Sequence, residues 1–266
     1  MKNKKEWYIT KSALSLFVLL NLTYVSFSQK NDSTKVASHF GGAVTVTNNG
    51  ISFIPNFTLG KPAAIFDLSM GKGKLSFEPQ FRFALEGKPW SFIFWWRYKL
   101  LQSEKLKITL GAHPALAFKI MTLSSDGVSK DYIVAQRYLA GELAPNYFPS
   151  KNISIGAYYF YAYGVEKDVV KNTQMVSLRS NFSNIRLSKQ FFMKFAPQFY
   201  YLKMDKNDGY YFSASLTLAK RNFPLSVSSI INKPIQTEIP ANNNFLWNVS
   251  LIYSFNKEYV KNNRYK

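Results

Sequence analysis

Along KLKITLGAHPALAFKI (105–120) apolar and polar positions alternate with a period of two. Leu106, Ile108, Leu110, Ala112, Pro114, Leu116, Phe118 and Ile120 make one row; Lys105, Lys107, Thr109, Gly111, His113, Ala115, Ala117 and Lys119 make the other. KLSFEPQFRFAL (74–85), PWSFIFWWRYKL (89–100) and NFLWNVSLIYSF (244–255) repeat the pattern, although Ile93 and Trp95 blur the polar row of the second. Successive side chains of a strand point to opposite faces, so alternation over such lengths predicts strands. Less regular rows at 50–59, 62–70, 131–145, 152–165, 173–187, 190–204, 209–220 and 224–232 bring the expected total to twelve. SHFGGAVTVTN (38–48), before an Asn-Asn-Gly turn signal, reads as a lead-in or an additional strand. Counting it with one unrecognised strand gives fourteen as the alternative. No long stretch has a 3.6-residue period, so the fold class is all-β.

The connections fall into two sets that alternate along the chain. LGKPA, EGKPW, LSSDGVSKD, EKDVVKNTQ, DKNDG and NKPIQTEIPANNN include every long one, whereas GKGK, QSEK, FPSKN, SKQ and KRNFP are all short. With twelve strands the first strand starts and the last strand ends on the short-turn side, as an even-numbered barrel requires. A looser regularity is apolar-x-Pro-x-apolar, seen in FIPNF (53–57), FEPQF (77–81), AHPAL (112–116) and FAPQF (195–199), and more weakly in LAPNY (143–147). Proline cannot donate to a ladder, so a proline at one height in each of these strands implies bends or locally open pairs. Repetition of a hairpin unit accounts for such a belt, and chance in a Phe-rich chain is the plain alternative.

Alternation alone does not say which row is wet. A row as large as Trp90, Phe92, Phe94, Trp96 and Tyr98 overfills a small interior, and twelve strands close too widely for an apolar lumen to be filled by wall side chains. Trp90, Tyr98, Tyr147, Phe148, Tyr159, Tyr161, Tyr163, Tyr210, Tyr253 and Phe255 lie near strand ends, where a girdle of amphipathic rings meets lipid head groups. The apolar row is therefore expected to face lipid, in preference to a soluble β-sandwich.

The N-terminus supports export. Lys2, Lys4, Lys5 and Lys11 form a basic region, SALSLFVLLNLTYV (12–25) an apolar one, and Ser26-Phe27-Ser28 a small-x-small cleavage signal, so residues 1–28 read as a signal peptide cut before Gln29. The whole chain carries 34 Lys+Arg against 15 Asp+Glu, and about +16 remains beyond residue 28. Export argues against nucleic acid as the partner of that charge and leaves anionic lipid head groups, an anionic solute or loop solubility. With no cysteine, disulfides, thiolate metal sites and cysteine nucleophiles are excluded.

The signal peptide, the twelve amphipathic strands, the loop asymmetry and the terminal LWNVSLIYSF together resemble the porin-like outer-membrane β-barrels of Gram-negative bacteria. The resemblance implies a transmembrane antiparallel up-and-down barrel over 50–255, surrounded by outer-membrane lipid and lipopolysaccharide. It also implies that Phe255 ends the strand recognised by the barrel-assembly machinery, although the basic tail NKEYVKNNRYK (256–266) follows it. Residues 29–49 would precede the barrel as a lead-in or extra strand.

With the apolar row outward, the lumen row contains Asp67, Glu78, Arg82, Arg97, Lys99, Lys107, His113, Lys119, Glu142, Arg179 and Lys194. Seven bases against three acids make a net-positive lining suited to a small anionic solute. The alternative is a self-neutralising ladder that closes the lumen and leaves a structural or partner-binding barrel, its basic loops on lipopolysaccharide. An outer-membrane lipid hydrolase ranks last, because neither His39 nor His113 is followed two residues on by a serine. His113 precedes Pro114 as Glu78 precedes Pro79, which marks it as a lumen residue. No spacing supports a metal or cofactor site.

Overall fold

The period-two rows become the walls of a closed barrel. A computed structural model describes residues 38–125, 128–240 and 244–259; the expected signal peptide, residues 29–37 and the tail beyond 259 lie outside them. Twelve antiparallel strands follow in order: β1 (Ser38–Thr47), β2 (Ala63–Lys72), β3 (Leu75–Ala84), β4 (Pro89–Gln102), β5 (Leu106–Ser125), β6 (Val128–Ser150), β7 (Ile153–Gly164), β8 (Asn172–Arg186), β9 (Phe191–Met204), β10 (Asn207–Lys220), β11 (Leu225–Thr237) and β12 (Leu246–Tyr259). Each pairs with its chain neighbour, and β1 closes the ring on β12 from Ser38↔Tyr259 to Thr47↔Ser250. A closed ring leaves no row of unpaired N–H and C=O groups at an edge.

The strand expected over 50–59 is not a strand. Pro55 opens a single 3₁₀ turn, Pro55–Phe57, inside a long connection between β1 and β2. The alternation of Ile51, Phe53, Pro55 and Phe57 comes instead from a segment folded into the lumen. Residues 38–47, read as a lead-in or extra strand, supply the missing wall. The exchange keeps twelve strands and preserves the parity of the connections, since LGKPA is the returning limb of the β1–β2 connection. The final strand runs past Phe255, with Asn256, Lys257 and Glu258 paired to Gly41, Phe40 and His39.

Each strand proline opens the ladder on one side only. Pro79 pairs with Phe94 on β4, while β2–β3 pairing skips from Asp67↔Gln80 to Met70↔Phe77. Pro114 pairs with Leu139 on β6, and β4–β5 pairing is missing between Ile93↔Ala115 and Trp96↔Ala112. Pro197 pairs with Ala214 on β10, and β8–β9 pairing is missing between Arg179↔Gln198 and Phe182↔Phe195. In these three the gap faces the preceding strand; at Pro145 it faces the following one, between Leu143↔Tyr159 and Asn146↔Gly156, because the missing N–H interrupts only the ladder it would have served. FIPNF does not share this pattern, so the belt has one fewer strand member than the sequence suggests.

Outward side chains are apolar around the ring: Leu139, Leu178, Phe199, Trp247, Val249 and Leu251 are all exposed. Trp90 leaves the expected girdle. The β3–β4 register shifts from Arg82↔Ser91 to Phe83↔Pro89, and the extra residue of this bulge, Trp90, is buried at 5% exposure. β5 and β6 are 20 and 23 residues long and outrun their neighbours, whose last pairs with them are Ser91↔Ala117 and Tyr138↔Gly164. Residues 118–125 and 128–137 thus stand above the rim as a two-stranded ribbon.

Leu251, in the middle of β12 and half exposed on the outer face, tests the orientation. Leu251→Arg is expected to destabilise the barrel by about 2–4 kcal/mol in lipid bilayers, measured by denaturant titration, because it drives a cation into hydrocarbon. If that face met water, the substitution would cost almost nothing.

Candidate functional site

The lumen is organised by the segment between β1 and β2. Gly50 N–H donates to Lys61 O at 2.8 Å and Leu59 N–H to Gly50 O at 2.9 Å, which closes the base of an excursion. Thr58 Oγ1 accepts from Ser52 N–H at 3.1 Å and donates to Ser52 O at 3.2 Å, tying its limbs together. Trp90 Nε1 on β4 donates to Phe57 O at 2.7 Å, and the Tyr200 hydroxyl on β9 donates to Phe53 O at 3.1 Å. β4 and β9 are five places apart in a ring of twelve, so these bonds fasten the segment to nearly opposite walls. It crosses the lumen as a bar.

Apolar packing holds the bar. Ile54 sits in a buried cluster with Trp95, Phe160, Ala162, Met175, Tyr200, Leu202, Met204, Tyr211 and Ile239, and Phe57 packs against it. Phe57 meets Tyr138 edge-on at 5.0 Å, and Tyr200 stacks on Tyr211 at 4.9 Å. This half of the lumen is not the polar interior that the alternation predicts. Ile93 and Trp95, which blurred the polar row of β4, are where the sequence signalled it.

Toward the short-turn side the lining becomes ionic. Arg97, Gly111 and Glu142 share one register row across β4, β5 and β6. A Cβ on Gly111 would lie 2.7 Å from Glu142 Oε1, so glycine is what lets the two charged side chains meet above it. Arg97 Nε donates to Glu142 Oε1 at 2.6 Å, and Arg97 also pairs with Glu78. Tyr158 donates to Glu142 Oε2 at 2.7 Å, Ser76 donates to Glu78 Oε1 at 2.7 Å, and the guanidinium lies 4.3 Å over Trp95. Two carboxylates flank one guanidinium, and the network neutralises much of the positive lining.

Two cavities flank the bar. The first, of about 360 Å³, is lined by Asp67, Gln80, Arg82, Ser91 and His113 together with Ile54, Phe57, Trp95 and Phe160. The second, of about 420 Å³, is lined by Asn146, Phe148, Ser154, Arg179, Gln198 and Ser213. Arg82 donates to Gln80 at 2.9 Å and lies 5.2 Å over Trp90. Arg179 lies 4.8 Å over Tyr158 and reaches Asn146 at 3.5 Å, with no carboxylate of the described residues in ion-pair range. Lys194 is exposed beside Phe192 and belongs to neither cavity. Lys99 is half-buried, and Lys107 and Lys119 are exposed, Lys107 over Phe148 and Lys119 on the ribbon.

His113 is buried against Trp95 at 4.0 Å and Phe160 at 6.2 Å. His39 contacts Ser69 Oγ at 2.9 Å, a pairing between β1 and β2 that no sequence spacing shows. Among the described residues no cluster of His, Asp and Glu is placed to hold a metal ion. Sequence reasoning missed Phe53, Trp90, Tyr158 and Tyr200, because aromatic residues carry no mark of facing inward.

Glu142 is the most buried member of the ionic network, its side chain 3% exposed against 27% for Glu78. Glu142→Ala is expected to cost about 3 kcal/mol in unfolding titrations, because it removes one partner of a mostly buried pair. Glu78→Ala should cost clearly less.

No family model matches this sequence, and no curated protein matches it. Among solved structures the chain is similar to the KdgM porin in complex with disordered oligogalacturonate, with 9% identity over 82% of this chain and 99% of that one and a TM-score of 0.48. It is similar to the NanC porin, with 11% identity over 83% of this chain and 99% of that one and a TM-score of 0.46. An outer membrane channel from Pseudomonas putida F1 gives 9% identity over 85% of this chain and 99% of that one, with a TM-score of 0.46.

Proposed function

We propose that this protein is an outer-membrane channel for small solutes, its path narrowed by the bar that crosses the lumen. One observation carries the reading. The two lumen cavities lie on different sides of the bar, and the single residue lining both is Phe53. A solute passing from one to the other passes that ring. Phe53 is fixed from behind by the bond from Tyr200 to its carbonyl, while the residue is 38% exposed.

The lining sets the preference for charge. Glu78 and Glu142 outnumber Arg97 in the ionic network, while Arg82 and Arg179 outnumber Asp67 along the cavities, so these charges cancel over the lumen as a whole. The second cavity, whose lining holds Arg179 and no carboxylate, favours anions locally on the short-turn side. The bar's apolar packing supports a second reading, in which the lumen stays shut and the basic connections hold lipopolysaccharide phosphates.

Planar-bilayer recordings separate the two. Wild-type protein is expected to show small, anion-favouring conductance; Phe53→Ala should raise it about twofold or more, and Arg179→Ala should reduce the preference for anions. Folded protein that conducts in neither the wild-type nor the Phe53→Ala form supports the closed barrel and defeats the channel.

A further inference from the structure

The first cavity has an unusual lining for the interior of a barrel. Four polar atoms on it are buried with no hydrogen-bond partner among the described residues: Asp67 Oδ1, Arg82 Nε, Ser91 Oγ and His113 Nδ1. Buried polar groups are normally satisfied, so four orphans on one cavity mark a place where a ligand can supply the missing bonds. Ser91 and His113 are each only 7% exposed. The remaining wall is apolar and aromatic, with Ile54, Phe57, Ile93, Trp95 and Phe160 around it.

The charges are arranged for a ligand that carries both signs. Arg82 pairs in register with Ile65, two residues from Asp67, so the guanidinium and the carboxylate enter the lumen from adjacent strands. They make no ion pair with each other, and neither makes one with any other described residue. Arg82 spends one NH₂ on Gln80 and leaves Nε free, while Asp67 leaves Oδ1 free. An acceptor and a donor of opposite charge, side by side and unspent, match an ammonium and a carboxylate on one carbon.

We propose that this cavity binds a zwitterionic α-amino acid with a large apolar or aromatic side chain. The carboxylate accepts from the Arg82 guanidinium, the ammonium donates to the Asp67 carboxylate, and Ser91 and His113 complete the polar end. The side chain lies among Trp95, Phe160, Ile54 and Phe57. The site goes beyond the channel reading and is tested apart from it: binding is read in detergent and conduction in bilayers.

The test is titration of the purified, folded full-length chain in detergent with L-phenylalanine, read by tryptophan fluorescence, since Trp95 lines the cavity. Phenylacetate and phenethylamine, each carrying one of the two charges, serve as comparisons. L-Phenylalanine is expected to saturate and to bind roughly tenfold or more tightly than either. Asp67→Asn should weaken L-phenylalanine about tenfold and leave phenylacetate unchanged. Ala115→Leu, which fills the cavity, should abolish binding of all three, and heat-dependent gel mobility checks that each variant is folded. If Asp67→Asn does not fold, Arg82→Lys takes its place and should weaken L-phenylalanine and phenylacetate but not phenethylamine. Absence of saturable binding to the folded wild type overturns the proposal. So does binding of L-phenylalanine that ignores both charge substitutions or survives Ala115→Leu.

Discussion

A wall whose outer face is apolar offers no partners to unpaired backbone N–H and C=O groups, and this constraint governs the rest of the molecule. It requires the ten-pair seam between β1 and β12, without which the sheet has two raw edges. It also explains how prolines are tolerated inside strands. Pro79, Pro114 and Pro197 each keep one ladder whole and interrupt the other over only a couple of residues. Strand segments on either side of the gap remain paired, so the break stays local.

Closure creates the second problem, because twelve strands enclose more space than their own side chains fill. The chain meets it in two ways. On the short-turn side, long charged and phenolic side chains reach across glycine: Arg97 and Glu142 meet over Gly111, and Tyr158 joins them. On the other side the chain sends its own first connection inward. That segment brings backbone carbonyls into the interior, and Trp90 and Tyr200 satisfy two of them while Ile54 and Phe57 pack. The apolar and ionic halves are thus two solutions to one excess of volume.

Much of the architecture was legible because period two is a local property. The rows of β3, β4, β5 and β12, the short turns and the count of twelve could all be read along the chain. The exchange of 38–47 for 50–59 could not. Ile51, Phe53, Pro55 and Phe57 alternate as a strand would, and only partners distant in sequence, Trp90 and Tyr200, reveal that these residues cross the lumen. The same limit applies to the candidate site. Parity put Asp67, Arg82 and His113 on the lumen row, but their convergence on one cavity depends on register between strands. Trp90 was misread because a bulge reverses parity without altering the pattern.

The strand lengths have a consequence for the lipid. β1, β2 and β3 have ten residues each, about the minimum that crosses a bilayer when tilted. β5 and β6 exceed that minimum generously. A bilayer around this wall would meet an uneven hydrophobic mismatch, compressed beside β1–β3 and unconstrained beside the ribbon. A lipid collar around such a wall would be thinnest next to the barrel's own seam, where shorter acyl chains would gather.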